Sequence, residues 1–62
     1  MMVLYSFLKA SEGGRSQRDV LAMLQGRGIK AHPAYSCYVG HTAVTVVGSK
    51  REQAVAERVI FS

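Results

Sequence analysis

Thr42-Ala43-Val44-Thr45-Val46-Val47-Gly48-Ser49-Lys50-Arg51-Glu52 carries a strand, a break and a helix start in eleven residues. Thr42 to Val47 is rich in β-branched side chains, which favour the pleated backbone. Gly48 ends the run. Ser49-Lys50-Arg51-Glu52 is then a capping box: the serine hydroxyl accepts from the N–H three residues on, and the acid reaches back to the serine N–H. The same Ser-x-x-acid spacing recurs at Ser16-Gln17-Arg18-Asp19. Each box precedes apolar residues at helical spacing, so the chain parses as strand, helix, strand, strand, helix.

Working outward, Val3 to Leu8 (VLYSFL) reads as strand one, broken by Ser11-Glu12-Gly13-Gly14. Helix one presents Val20, Leu21 and Leu24 on one face. It is expected to stop in a Schellman turn, with Gly28 left-handed and Ile29 folded back on Leu24. His32-Pro33 interrupts the chain. Strand two is expected over Ala34–Val39 and strand three over Thr42–Val47, joined by a two-residue type II′ hairpin at Gly40-His41. That register sets Cys37 opposite Val44 and Tyr35 opposite Val46, and it turns Tyr35, Cys37, Val44 and Val46 toward the helices. Helix two carries Val55, Ala56, Val59 and Ile60 on its inner stripe.

Only one sheet face is apolar enough to need covering, so both helices are expected on it. Right-handed crossover makes strand two parallel to strand one, and strand three inserts between them. The expected fold is therefore a two-layer α+β βαββα unit, ferredoxin-like without its fourth strand, with sheet order 1-3-2. Strand one is left as an apolar edge (Val3, Leu4, Tyr5, Ser6, Phe7), which predicts a homodimer built on it.

Two segments resemble known families. Val46-Val47-Gly48-Ser49 with Gln53-Ala54-Val55-Ala56 resembles the last strand and helix of SPOR domains, which implies the βαββα plan and binding of peptidoglycan glycan strands. Leu24-Gln25-Gly26-Arg27-Gly28-Ile29 is similar to the helix end of a family of small bacterial proteins assigned to signal transduction. Neither resemblance transfers a functional residue.

Composition bounds the function. Sixty-two residues make a single domain, 1–62. Hydrophobic content of 48% against 19% charged residues excludes wholesale disorder. One cysteine permits no intrachain disulfide, and Met1–Ala10 is too short an apolar run for a membrane span or signal peptide. The expected location is cytoplasmic. Eight Lys/Arg against four Asp/Glu give a net charge of +4, which favours acidic partners.

The bases fall into two groups in the 1-3-2 layout. Arg27, Lys30, Lys50 and Arg51 gather at one end of the sheet; Arg15 and Arg18, with Lys9 and Arg58, gather at the other. Both helices open with bases, against the helix dipole. The Gly-containing loop before helix one has the composition of an anion nest or of a plain turn. Cys37, His32, His41 and Asp19 are the sole candidate nucleophile–base set, and His32, Cys37 and His41 offer the spacing of three metal ligands. Their spacing lacks a fourth structural-zinc ligand, and Cys37 is expected in the core. No enzyme, metal or cofactor is expected. The reading is a small basic binding protein, an accessory or inhibitory regulator such as phages encode, engaging an acidic protein partner. The alternative is a sequence-indifferent nucleic-acid binder.

Overall fold

A computed structural model describes all residues from Met1 to Ser62. The elements are β1 (Met2–Leu8), a 3-10 turn (Ala10–Glu12), α1 (Gln17–Gly26), β2 (Lys30–Ala34), β3 (His41–Val47) and α2 (Lys50–Phe61). The sheet order is β1-β3-β2, with β3 antiparallel to both neighbours. This is the ferredoxin-like βαββα arrangement with three strands. No helix is long and apolar enough to cross a membrane.

The boxes act as local punctuation. At α2 both halves form: the Ser49 Oγ accepts from the Glu52 N–H at 3.3 Å, and Glu52 Oε1 accepts from the Ser49 N–H at 2.9 Å. At α1 the Ser16 Oγ accepts from the Asp19 N–H at 3.3 Å, which is one half of the box. The Schellman stop also forms. Gly28 takes φ +76°, its N–H bonds to the Gln25 carbonyl at 3.0 Å, and the Ile29 N–H bonds to the Leu24 carbonyl at 3.1 Å.

Strand two is corrected. It spans Lys30–Ala34, four residues earlier than the expected Ala34–Val39, and pairs Ala31 with Val46 and Pro33 with Val44. The physical reason lies in the ladder. The Gly48 N–H bonds to the Met1 carbonyl and the Lys9 N–H to the Gly40 carbonyl, so Thr42, Val44 and Val46 turn their peptide groups toward β1. His41, Ala43, Thr45 and Val47 therefore serve β2, and Pro33, opposite Val44, sits where β2's N–H would point away from the sheet. On an edge strand that position tolerates proline without losing a bond. Proline thus lies inside the strand rather than ending it.

Residues 35–40 form the connection instead of a strand, so the two-residue hairpin at Gly40-His41 is also corrected. Gly40 does have positive φ, +78°, but as the third residue of a turn closed by the His41 N–H on the Tyr38 carbonyl at 3.2 Å. The Ser36 hydroxyl lies 2.6 Å from the Ser6 hydroxyl and accepts from the Tyr38 N–H at 3.2 Å. Ser6 pairs with Ala43, so this loop folds across the helix-free face and buries Ala43.

The core joins Tyr5 and Phe7, Ala31, Val44 and Val46 from one sheet face with Val20, Leu24 and Ile29 and with Ala56, Val59 and Ile60. Both helices thus cover one face. Three expected members drop out, Cys37 among them, which lies exposed in the 35–40 loop. Tyr35 is wholly exposed in the loop, and Val55 lies on the outer side of α2, 37% exposed. In their stead α2 buries Gln53 (4% exposed). Its Nε2 donates to the Val46 carbonyl at 3.0 Å, and its Oε1 accepts from the Tyr5 hydroxyl at 2.9 Å. A buried amide is tolerated because both of its ends are bonded. The Tyr5 hydroxyl oxygen also lies 3.1 Å from Glu57 Oε2. Burial first, then that carboxylate, hold the Tyr5 phenol above its ordinary range.

Candidate functional site

The basic end is built by β2 and α2. Lys30 pairs with Val47, and Lys50 and Arg51 follow three and four residues later in the first turn of α2; all three bases are exposed. Glu52 is the acid among them, and its carboxylate is occupied by the cap. The Ser49 N–H, with the Ser49 hydroxyl, holds the Glu52 carboxyl below the usual range, and Lys30 adds a smaller pull. Arg27 reaches this end through the Schellman turn, but its guanidinium donates to the Met23 carbonyl at 3.0 Å and so caps α1.

At the other end Arg15 has a structural duty. Its guanidinium donates to the Val59 carbonyl at 2.6 Å and to an oxygen of Ser62 at 3.1 Å, satisfying the C-terminal end of α2. Arg18 is exposed beside it in sequence order. The Gly-containing loop is not an anion nest. The N–H groups of Glu12, Gly13, Gly14 and Arg15 all bond to the carbonyls of Leu8, Lys9 and Ala10. Those four donors are spent within the loop.

The Cys37, His32 and His41 set does not assemble. His32 is exposed on β2 opposite Thr45, while the His41 ring packs against Tyr38 with centroids 5.7 Å apart. Nowhere do three or more His, Cys, Asp or Glu side chains converge on a metal-sized site. Cys37 is corrected from buried to exposed, because the four-residue shift of β2 leaves it in the connecting loop. Its thiol is expected to react with Ellman's reagent at the rate of free cysteine in the native protein. Cys37→Ala should move stability by no more than about 0.5 kcal/mol. A native thiol protected until unfolding would show the loop packed down.

The two sheet edges differ. At β2, Pro33 supplies no N–H, and the outward Ala31 carbonyl receives the Gln25 amide at 3.4 Å. That edge is blunted. At β1, Met1, Val3, Tyr5, Phe7 and Lys9 turn their peptide groups to β3, so Met2, Leu4 and Ser6 turn theirs outward. Leu8 is half served, its carbonyl accepting from the Arg15 N–H at 2.9 Å. Met2 (72% exposed), Leu4 (54%) and Leu8 (46%) place their side chains on the helix-free face, which the 35–40 loop, with Tyr35, Tyr38 and Val39 exposed, reaches through the Ser36–Ser6 contact.

The sequence names the β1 edge and sets Tyr38 on the helix-free face, but it places Tyr35 in a strand and hence in the core, whereas Tyr35 is exposed. The signal that would have found this is Pro33 itself, which fits an edge strand at a non-ladder position as well as it fits a break. The fold and these surfaces define a small α+β domain of ferredoxin-like plan. No family model, no curated protein and no solved structure matches the chain.

Proposed function

We propose that this chain is a small non-enzymatic binding protein whose basic end engages an acidic protein surface, in an accessory or inhibitory role. The observation supporting this reading is the exposure of Lys30, Lys50 and Arg51 together at one end of the sheet, with the nearby Glu52 carboxylate committed to its cap. Lys50 and Arg51 sit against the positive pole of α2, a placement that costs a few tenths of a kcal/mol each. An anionic partner reverses that cost, because it meets the helix pole and the side chains at once.

A second reading, binding of nucleic-acid phosphates, is supported by the same charges. No phenylalanine or tyrosine of the three strands stands on the helix-free face to stack a base, so such binding would be sequence-indifferent and steeply salt-dependent. The deciding experiment captures host-lysate components on immobilised protein with and without nuclease, using wild type and a Lys30→Glu, Lys50→Glu, Arg51→Glu variant. Protein capture that survives nuclease and is lost in the variant supports the first reading. Capture abolished by nuclease supports the second. Capture unaffected by charge reversal overturns both.

A further inference from the structure

We propose that β1 pairs antiparallel with β1 of a second copy of this chain, in a single register centred on Leu4. This inference stands apart from the basic end and uses none of its residues.

The register follows from which peptide groups are free. Met2, Leu4 and Ser6 of β1 face outward with both peptide groups free, whereas at Leu8 the carbonyl is taken by the Arg15 N–H and the Lys9–Arg15 bridge closes the edge. Two copies related by a two-fold axis satisfy all of these groups in one way. Met2 pairs with the partner's Ser6, Leu4 with the partner's Leu4, and Ser6 with the partner's Met2. In an antiparallel ladder each such pair exchanges both of its hydrogen bonds. Sliding two residues toward Leu8 drives the partner strand into the Gly14–Arg15 segment, and sliding the other way strands donors.

The side chains agree with that register. Residues directly opposite share a sheet face. The partner's Met2 therefore arrives beside Ser6, where the 35–40 loop is tied down by the Ser36–Ser6 contact at 2.6 Å and presents Tyr35, 98% exposed. The relation is reciprocal, as an isologous interface requires. Leu4 meets its own copy on the axis. On the helix side Val3 comes opposite the partner's Tyr5, and Phe61, packed edge-on to Tyr5 at 6.1 Å and 60% exposed, lies at the same border.

Charge selects the occupant. Met2 to Leu8 contains no ionisable side chain except the Tyr5 phenol, in a chain of net charge +4. Two copies of one cationic protein approach with least repulsion along a charge-free strand, whereas an acidic partner finds no cation there to recognise. Pairing creates one six-stranded sheet with the basic ends free at both extremities.

Sedimentation equilibrium of the full chain at tens of micromolar is expected to give twice the 6.8 kDa chain mass. Leu4→Lys adds a charge at an exposed position and sets two like charges opposite each other across the axis. It should weaken association by about 10- to 100-fold while leaving circular dichroism and cooperative unfolding intact. In a Cys37→Ala background, Leu4→Cys should cross-link on oxidation with glutathione disulfide, since opposed residues have Cα atoms about 5.5 Å apart. Met2→Cys in the same background, offset from its own copy, should cross-link far more slowly. A monomer mass for the wild type overturns the pairing. Dimerisation unchanged by Leu4→Lys overturns the β1 interface, and faster cross-linking at Met2 than at Leu4 overturns the register.

Discussion

Gly14→Ala is expected to remove a third or more of this protein's stability margin. A Cβ built at Gly14 stands 1.9 Å from the Leu8 carbonyl oxygen, 2.4 Å from its carbon and 2.6 Å from the Leu8 Cβ. The obstructing atoms are mostly β1 backbone, which cannot rotate aside as a side-chain tip can. The glycine is held there from both sides, by its own N–H on the Lys9 carbonyl and by the Arg15 N–H on the Leu8 carbonyl. Relieving the clash breaks the Lys9–Arg15 bridge and withdraws Arg15 from the end of α2. The expected cost is about 3 kcal/mol. Sixty-two residues carry in all roughly 3–9 kcal/mol of stability. The melting temperature by far-ultraviolet circular dichroism should fall by about 12–24 °C. Gly13→Ala is the control: φ is +85° but no atom lies within 4 Å of the added carbon, so the cost is left-handed strain alone, about 1–2 kcal/mol. If Gly14→Ala melts within a few degrees of wild type, the 13–15 segment does not pack on β1.

Leu24→Ala is the second large effect. Leu24 is fully buried and the largest side chain that is, so truncation opens a cavity between α1 and the sheet. Its carbonyl also receives the Ile29 N–H, and Ile29 is itself buried in the core, so the same residue seats the stop that turns α1 into β2. Loss of about 3–5 kcal/mol is expected in denaturant unfolding. Val55→Ala belongs beside it. Helical spacing places Val55 on the inner stripe, yet it is 37% exposed, and its truncation should cost well under 1 kcal/mol. Equal losses for the two variants would mean that α2 is rotated about its axis from the orientation described.

The contrast between these two residues shows where local reading stops. Val55, Ala56, Val59 and Ile60 form one apolar cluster on a helical wheel, and Gln53 lies at its border. Hydrophobicity ranks Val55 above Gln53, but burial depends on what stands opposite. Here the opposing surface holds a tyrosine hydroxyl and the Val46 carbonyl, and an amide bonds to both where a valine would bond to neither. No periodicity within α2 encodes a hydroxyl on β1, forty-eight residues away in sequence.

Cys37 and Tyr35 show the same limit in the sheet. Alternating apolar residues over 34–39 satisfy a strand pattern, and Gly40-His41 satisfies a hairpin. The competing solution puts Pro33 opposite Val44 at an outward N–H and lets Lys30–Ala34 complete the ladder. Choosing between them takes the position of β1, because β1 decides which face of β3 each peptide group must serve. The charged residues follow suit: Arg15 reads from sequence as surface charge and is drawn into α2's last carbonyls by the path of the 13–15 segment.

What the sequence alone determined were the features carried by interactions within a few residues: the Ser16 and Ser49 caps, the Gly28 stop with Ile29 folded back, the helix positions, and from their order the 1-3-2 sheet with both helices on one face. Side-chain-to-backbone bonds across three residues and a left-handed glycine need no distant partner, so they are legible in the chain itself. The register of β2, the exposure of the 35–40 loop, the burial of Gln53 and the capture of Arg15 were decided by tertiary structure. Each depends on a hydrogen-bonding group supplied from another element, whose position is set only when the whole fold closes.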